Sequence, residues 1–462
     1  MSTWQNLVSR MPKESDADTP ADKTMSLGRT AMLWLAANMV VTTLLTGTIF
    51  VPGVPYATAL LTILAGTLIG GTVLILVGRI GTRTGLPTMV LTRGSFGRRG
   101  GYLPAAFNLV VLMGWSWVQA LLAGIALNYV VDRATGFSNP VLFAVIAQTI
   151  VVLLALFGHM GIQRVEPWLA VIMVVVAAYV FYTAFSTFGV GEFLDIPAQP
   201  ELITTIVVFD IVVATAISWT VLSADFNRHA MSERAGVVGT AIGYTASTFT
   251  AMALGATALG YVFLEGGEPI AFDPTVIVER FGFPLAIVIF ISVMATNTMV
   301  VYGMVMSYLN VRPRANFLVV AIVIGLISII GATWQGLLDR FIDFLFLISG
   351  LFVPVFAIML VDYYILSRRR YRFNDLIRDR GGAYWYSSGV NPVALLSWAV
   401  GAALAYYWIQ VSPLSVGATL PVFVVTFVLY LAGSFLSGRR PTAHAGSTDA
   451  SSPTDEAVGR SS

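Results

Sequence analysis

Charged residues and cysteines are what this 462-residue sequence has least of. Only 11% of its residues are charged and 57% are hydrophobic, whereas soluble domains usually carry about 25% charged residues. The absence of cysteine excludes disulfides and thiol chemistry. The three histidines (His159, His229 and His444) are far apart in sequence, so we expect neither a histidine metal site nor a cofactor. The basic residues are scattered over loops and make no nucleic-acid footprint. The expected solvent is therefore the lipid bilayer.

The hydrophobic residues form runs of about 20, which is the length needed to cross about 30 Å of hydrocarbon. They predict an all-α polytopic membrane protein with about twelve spans, numbered one to twelve in chain order. The predicted spans are 30–51, 56–78, 102–131, 139–158, 166–187, 202–223, 235–263, 282–310, 315–332, 341–365, 389–410 and 416–437. Residues 1–28 and 438–462 are predicted to be disordered cytoplasmic tails of one transmembrane domain, 29–437. No cleavable signal peptide is visible.

The distribution of arginines supports this map. With the N-terminus inside, sixteen arginines fall in inward loops and three in outward loops, as the positive-inside rule requires. The inward set is Arg79, Arg83, Arg93, Arg98, Arg99, Arg164, Arg228, Arg234, Arg312, Arg314, Arg368, Arg369, Arg370, Arg372, Arg378 and Arg380. The outward set is Arg133, Arg280 and Arg340. We therefore expect a multi-pass protein of the plasma membrane with both termini in the cytoplasm.

Span three contains a stretch that does not belong in a plain lipid-facing helix, Gly114–Gln119. Gln119 needs hydrogen-bond partners, and hydrocarbon offers none. Trp115 lies one helical turn earlier on the same face, whereas Trp117 points to nearly the opposite side. A flat aromatic surface beside an amide suits a flat, polar ring. A buried glutamine can also simply join two helices, and a tryptophan can simply fill space.

Spans one and six are unusually polar for membrane helices. Span one contains Asn38, Thr42, Thr43, Thr46, Gly47 and Thr48, and span six contains Thr215, Ser218, Trp219, Thr220 and Ser223. An inverted repeat of five spans would make span one correspond to span six, and span three to span eight. Interrupted apolar segments at corresponding positions of two halves indicate the midplane site of a transporter.

Span eight brings a hydroxyl and an amide together at Thr296 and Asn297. Asn297 favours a functional role, although packing between helices is the alternative. Asp210 is interpreted as a boundary acid, with proton carrier as the alternative, and Asp225 as an ion-pair partner of Arg228. Asp343 and Asp362 are interpreted as marking the ends of span ten. Gly66 and Gly70 form a GxxxG motif that predicts close helix packing.

Several motifs, in consistent order along the chain, resemble those of the nucleobase–cation symporters. The run from Gly78 to Gly97 resembles the connection between spans two and three of that family. Further matches are Gly114-Trp115, Ala224-Asp225-Phe226 with Arg228, Thr296-Asn297, Val361-Asp362-Tyr363 and Gly389-Val390-Asn391-Pro392. The resemblance implies the five-plus-five inverted-repeat fold of the leucine transporter with two extra C-terminal helices. It also implies uptake of a planar heterocycle driven by sodium or protons.

The resemblance implies a substrate site as well. Its ring would stack on Trp115, with Gln119 and Asn297 as polar contacts and Thr215, Ala216 and Ser218 contributed by span six. From the polar residues of span one, Asn38 is added as a candidate contact. Ala216 stands where the family usually has a second stacking aromatic, so the site would be one-sided unless Trp219 turns into it. The implied sodium site uses carbonyls near Trp34 and Ala37 together with Ser292, Ala295 and Thr296. Sodium prefers oxygen ligands, and Ala295 supplies no hydroxyl.

We predict a secondary active transporter that imports a cytosine- or purine-like nucleobase with Na⁺, or alternatively H⁺, by alternating access. The alternative substrates are hydantoin, allantoin or a vitamin-precursor pyrimidine. A channel is less consistent with the sequence, because no span offers a ring of charges or a filter-like loop. An enzyme is not expected, since no nucleophile–base pair or metal cluster is visible. We expect no nucleic-acid partner, and a monomer or weak oligomer.

Overall fold

The structure is a computed structural model that describes residues 20–156, 162–312, 315–378 and 380–438. Most of both predicted tails, together with His159, Arg314 and His444, lies outside these residues. Within the described ranges the secondary structure is helical, apart from isolated bridges between Met25 and Ala230 and between Ser387 and Val390. The all-α class predicted from the hydrophobic runs is therefore confirmed.

The helices follow the order of the predicted spans. The first half contains α1 (Leu27–Asn38) and α2 (Val41–Thr48) in span one, α3 (Tyr56–Thr84) in span two, the connecting α4 (Thr88–Phe96), α5 (Tyr102–Thr135) in span three, α6 (Pro140–Leu156) in span four and α7 (Ile162–Thr187) in span five. The second half contains α8 (Val190–Leu194), α9 (Thr205–Thr220) and α10 (Ser223–Asn227) in span six, α11 (Glu233–Leu264) in span seven, α12 (Pro274–Phe281), α13 (Phe283–Val311) in span eight, α14 (Phe317–Gly331) in span nine, α15 (Gly336–Asp339) and α16 (Phe341–Leu360) in span ten.

Two further helices complete the fold after span ten. Span ten itself continues beyond α16 as a π-helical turn, Val361–Leu366. The remaining elements are α17 (Phe373–Ile377), α18 (Pro392–Tyr406) with its π-helical end Tyr407–Val411 in span eleven, and α19 (Thr419–Leu436) in span twelve. The two C-terminal helices pack against each other and against span ten.

Length and apolarity alone support part of the span count. Among the described residues, seven helices are long and apolar enough to cross a membrane, and the bent pair α1–α2 would make an eighth. Spans four, five, six and nine are carried by shorter apolar helices. The count of twelve spans therefore stays a prediction.

Spans one and six are both interrupted, at corresponding positions of the two halves. α1 and α2 meet at an angle of 57°, and Val40 between them is extended, with φ −124° and ψ 159°. In span six, Val221 and Leu222 separate α9 from α10. An interruption leaves backbone N–H and C=O groups without partners inside the helix, so they are available to a ligand.

Glycines allow the interrupted spans to pack closely on spans two and seven. A Cβ on Gly70 would stand 2.7 Å from the Cβ of Ala216, and a Cβ on Gly66 would stand 2.8 Å from Val212, both in span six. The predicted role of the GxxxG motif in close helix packing is thereby confirmed. Span seven meets span one in the same way, with Gly255 against the carbonyl of Leu44. Spans three and eight form the other tightly packed pair.

Candidate functional site

Trp115 lies where span three meets spans six and ten. Its indole N–H donates a hydrogen bond to the hydroxyl of Ser218 at 2.9 Å, which joins span three to span six. Phe341 and Phe344 of span ten meet the indole ring edge-on, at centroid distances of 5.8 and 5.4 Å. Gly114 makes room for this contact, because a Cβ there would overlap the Phe344 ring. Trp115 remains only half-buried, so part of its ring surface is open.

Gln119 lies one turn further along span three and is buried, with 3% of its surface exposed. Within the described residues, no hydrogen bond to its side-chain amide is found. Its amide oxygen and nitrogen are not among the fully buried polar atoms that lack a partner, so they reach accessible space, where water or a ligand can bind them. The side-chain amide of Gln119, one helical turn from Trp115, is therefore available to a ligand.

Asn297 of span eight belongs to a hydrogen-bonded chain that crosses four helices. Its amide N–H₂ donates to the backbone carbonyl of Ser116 at 3.1 Å and to the side-chain carbonyl of Gln148 at 2.7 Å. Gln148, in span four, donates in turn to the hydroxyls of Ser116 and Ser328, each at 2.9 Å. Ser328 of span nine donates to the carbonyl of Gly325. These hydrogen bonds thereby connect spans three, four, eight and nine at Ser116, the residue that follows Trp115.

The chain has only one consistent direction. Backbone carbonyls of Ser116 and Gly325 stand at its two ends, and a carbonyl can only accept a hydrogen bond. The amide of Asn297 must therefore present its N–H₂ to Ser116 and Gln148, so that its oxygen points elsewhere. That oxygen, Oδ1, is buried and has no partner among the described residues. Asn297 thus keeps a buried acceptor without a partner among the described residues, and we call Trp115, Gln119 and Asn297 the three–eight wall.

Spans one and six carry a second group of candidate residues, which Ser218 connects to Trp115. The indole N–H of Trp34 donates to Asn227 at 2.8 Å, and Asn227 is itself bonded to Thr240 of span seven. The Trp34 ring packs edge-on against Trp219, with a centroid distance of 6.5 Å. We call Trp34, Asn38 and Trp219 the one–six wall. Trp219 directly follows Ser218, so it is the aromatic of span six nearest in sequence to the Trp115 contact.

The polar groups on spans one and six are already hydrogen-bonded within the protein. The amide of Asn38 donates to the hydroxyl of Thr248 and accepts from the hydroxyl of Thr43, which braces the break in span one. Thr215 donates its hydroxyl back to the carbonyl of Ile211 in its own helix. As substrate contacts, Asn38 and Thr215 stay predictions.

Ala216 is completely buried against span two, where it faces Gly70. A larger side chain would overlap the span-two helix there, which gives a physical reason for alanine at this position. Its role as a substrate contact stays a prediction, and Trp219 is the aromatic that span six offers instead.

The residues of the expected sodium site lie on spans one and eight. Ser292 is buried, and its carbonyl accepts a hydrogen bond from the hydroxyl of Thr296 at 3.0 Å. That hydroxyl keeps its oxygen lone pairs, which suit a hard cation. The carbonyl of Trp34 on span one lies 3.4 Å from the hydroxyl of Ser247 on span seven. Sodium binding by Trp34, Ala37, Ser292, Ala295 and Thr296 stays a prediction.

Asp210, which is buried, and Asp225, which is half-buried, have structural partners that the sequence analysis did not foresee. Asp210 accepts hydrogen bonds from the backbone N–H groups of Ala418 and Thr419, so it caps the start of span twelve. Asp225 accepts from the N–H of Thr88 at 3.0 Å. Its predicted ion pair with Arg228 stays a prediction. Within the described residues, no cluster of three His, Cys, Asp or Glu is placed to hold a metal ion.

Asp362 lies in the last turn of span ten, as the sequence predicts, and it is completely buried, which the sequence did not indicate. Its carboxylate accepts hydrogen bonds from the hydroxyls of Tyr430 at 2.6 Å, Tyr371 at 3.1 Å and Ser367 at 3.2 Å. The carboxylate therefore ties span twelve and the following loop to the π-helical end of span ten.

Sequence reasoning missed several residues that shape the site. Gln148 is a solitary amide in an apolar span, and the argument applied to Gln119 would have identified it. Phe341 and Phe344 gave no signal, because aromatic residues at a span end also fit an interfacial belt. Asn227 and Tyr244, which enclose Trp34, become recognisable only once span seven is placed.

Comparisons with known proteins show the family and the fold of this chain. A family model described as permease for cytosine/purines, uracil, thiamine and allantoin matches residues 19–433. The cytosine permease of Escherichia coli (strain K12) is 25% identical over 384 residues, which covers 82% of this chain and 85% of the permease. The structure of Mhp1 in its inward facing conformation aligns with a TM-score of 0.78 at 20% identity, covering 93% of this chain and 94% of Mhp1.

A second Mhp1 structure is similar in the same way. It is described as a nucleobase-cation-symport-1 family transporter in a closed conformation with bromovinylhydantoin bound. It aligns with a TM-score of 0.75 at 21% identity and covers 94% of this chain and 97% of Mhp1. At these identities the structural likeness shows the fold, including the inverted repeat that the two interrupted spans indicate.

Proposed function

The chain belongs to the family of permeases for cytosine/purines, uracil, thiamine and allantoin, and we propose that it imports a cytosine- or purine-like nucleobase together with a cation by alternating access. Its family membership and fold make it a membrane transporter. The observation that carries the substrate proposal is the three–eight wall. It combines a half-open indole ring with two amides that still have hydrogen-bonding capacity.

In this proposal the substrate ring stacks on the open face of Trp115, with its polar edge towards span eight. The oxygen of Asn297 accepts a hydrogen bond from a ring N–H, because its orientation is fixed by Ser116 and Gln148. Gln119 can both donate and accept, so it suits an edge that carries both kinds of group. Trp219 covers the ring from span six. A nucleobase supplies the flat ring and the N–H donor that these residues need.

The cation enters the proposal as a second transported species. Sodium is slightly favoured over protons, with Thr296 and Ser292 on span eight and the carbonyls of Trp34 and Ala37 on span one as ligands. An ion shared between these spans would favour the conformation in which they are close, which couples it to the substrate site between them. Substrate affinity should then depend on the cation.

The decisive experiment is uptake into proteoliposomes. Radiolabelled cytosine, adenine, uracil, hydantoin and allantoin are compared with and without a sodium gradient, and at two external pH values. We expect saturable, competitive uptake of one nucleobase, stimulated by sodium. If affinity for every compound is unchanged by sodium and by pH, the coupling proposal fails. Non-saturable flux would indicate a channel.

A second candidate function is transport of another heterocycle, such as hydantoin, allantoin or a vitamin-precursor pyrimidine. It is favoured by bromovinylhydantoin in one Mhp1 structure and by the range of substrates in the family description. All these rings are flat and carry N–H donors, so the three–eight wall suits them too. The same uptake panel distinguishes them from nucleobases.

A further inference from the structure

An apolar groove lies on the outer surface between spans two, six, ten and twelve. Its volume is about 380 Å³, and its lining includes Val73 of span two, Ile217 of span six, Val353 of span ten and Phe423 of span twelve. The lining contains three hydroxyls, and each is engaged within the protein: Thr72 donates to the carbonyl of Leu68, Tyr364 to that of Leu76, and Thr419 is bonded to the carboxylate of Asp210. The surface of the groove is therefore almost entirely apolar and suits a hydrocarbon chain.

The surface around the groove is also apolar. Leu68 and Ile69 of span two are about half-exposed, as are Val424 and Val428 of span twelve. In a chain that spans a membrane, such a surface faces the acyl chains of lipids. The groove consequently opens into the bilayer, where the available apolar molecules are lipids.

The end of the groove at Tyr364 lies beside a group of arginines. The guanidinium of Arg369 stands over the Tyr364 ring, 5.9 Å from its centroid. Arg79 and Arg83 pair with Glu233 at 2.7 and 3.2 Å, so two guanidinium groups share one carboxylate. With Arg369 over Tyr364, these four charged groups carry an excess of two positive charges. Arg79 and Arg83 are about 30% exposed and remain accessible.

The backbone holds Arg369 in an unfavourable conformation at this place. Arg368 and Arg369 have φ values of +47° and +62°, in the left-handed region that residues other than glycine rarely adopt. A hydrogen bond of 2.7 Å from the N–H of Arg369 to the carbonyl of Tyr363 maintains the turn. Such conformations persist where the surroundings enforce them, and they are often found at binding sites.

We propose that this groove binds an anionic phospholipid. One acyl chain occupies the groove, and the phosphate lies against Arg79, Arg83 and Arg369. Arginine pairs well with phosphate, and the positive-inside rule places this end in the cytoplasmic leaflet, where anionic lipids are found. The lipid also reaches the transport machinery, because Ile217 lines the groove and the next residue, Ser218, holds Trp115. The site is independent of which substrate is carried.

The test is lipid retention and thermal stability of the purified full-length protein in nanodiscs. Discs of phosphatidylcholine are compared with discs that also contain phosphatidylglycerol, and bound lipid is identified by native mass spectrometry. We expect retention of phosphatidylglycerol and a higher melting temperature in its presence. Equal retention of phosphatidylcholine, or the same stabilisation by inorganic phosphate alone, would overturn the proposal.

Two variants distinguish the contribution of the lipid headgroup from that of the acyl chain. Arg369→Gln should weaken phosphatidylglycerol binding about fivefold, which corresponds to the ~1 kcal/mol that one arginine contributes at an anionic surface. Val73→Trp should fill the groove and abolish retention. The matched controls are Arg133→Gln, a guanidinium over Tyr129 outside this groove, and Leu61→Trp on an exposed face of span two. Unchanged retention in both test variants, or equal loss in the controls, would contradict the site.

Discussion

The two walls of the candidate site differ in whether their polar groups already have hydrogen-bond partners within the protein. On the one–six wall, Trp34 and Asn38 are bonded to Asn227, Thr248 and Thr43. On the three–eight wall, Gln119 has no hydrogen bond among the described residues and Asn297 keeps a buried oxygen without a partner. Under the proposed function, the three–eight wall recognises the substrate, whereas the one–six wall braces the interrupted helices.

This distinction follows from the cost of burying polar groups. A group that is satisfied by its own protein gains little from a ligand, and exchanging partners brings a small net free energy. A buried group without a partner gains much more, since the ligand removes its desolvation cost. The predictions below test this difference between the walls.

The largest effect is expected from Trp115→Ala. Stacking of a base on an aromatic side chain contributes about 1–3 kcal/mol, so substrate affinity should fall about tenfold or more. Binding is measured by scintillation proximity with the best substrate of the uptake panel. The control is Trp117→Ala on the same helix, because Trp117 packs edge-on against Trp334, in the connection between spans nine and ten. Equal losses in the two variants would mean that Trp115 is not the stacking surface.

Asn297→Ala should lower affinity about three- to tenfold, corresponding to the ~0.5–1.5 kcal/mol of one neutral hydrogen bond. The test is a double-mutant cycle with singly N-methylated substrates. One methylated isomer should bind the wild-type protein more weakly by a similar factor and bind the variant without further loss. If the two losses simply add for every isomer, Asn297 does not accept from a ring N–H.

Gln148→Leu tests whether Asn297 is oriented by its neighbours. Without Gln148 the Asn297 amide loses a partner that fixes its direction, so the preference for the N–H form of the substrate over its N-methylated form should narrow several-fold. Leucine preserves most of the volume of the side chain. An unchanged preference with reduced thermal stability would limit Gln148 to helix packing.

Asn38→Ala should affect stability more than binding. The hydroxyls of Thr248 and Thr43 would lose their partner, at a cost of about 1–3 kcal/mol for buried polar groups left unpaired. Thermal unfolding should report this loss while the dissociation constant changes less than about twofold, well below the loss expected for a hydrogen bond to substrate. The opposite result, normal stability with weak binding, would make Asn38 a substrate contact.

The smallest effect is a pH dependence at the cytoplasmic end of the one–six wall. Burial, with a contribution from Arg228, lowers the pKa of His229 below its usual value of 6.5. The carbonyl of His229 accepts hydrogen bonds from Thr24 and Met25. Because its pKa is lowered, the neutral imidazole of His229 is favoured in the folded state. Its contribution to the free energy of unfolding is fully present above pH 6.5 and is lost as the pH falls below 6.5. His229→Gln should flatten this decline in thermal unfolding curves between pH 7.5 and 5.5, and an unchanged decline would assign it to other groups.

The sequence predicted the features that depend on local composition. Apolar runs of the right length gave the helices, and the polar residues of spans one and six marked the two interruptions. Trp115 and Gln119 were recognisable because the membrane makes a buried amide conspicuous. These signals need only the chemistry of single residues and the period of a helix.

Other features depend on which helices meet, and that information is not local. Ala216 makes sense only beside Gly70 of span two. The burial of Asp362 could not be predicted, because one of the tyrosines that bind it, Tyr430, is distant in sequence. The partners of Asn297 lie on spans three and four, so the free oxygen that it presents could not be inferred from span eight alone.

The hydrogen-bonded chain through Gln148 also bears on how substrate preference can evolve. In the proposed function, the face that Asn297 presents to the ligand is set by its hydrogen bonds to the carbonyl of Ser116 and to Gln148, and Gln148 is held in turn by Ser328. Two related permeases with identical residues around the ring can therefore prefer different tautomers or methylation states, if one of them differs only at position 148. Comparing binding residues alone would then misjudge what each protein carries.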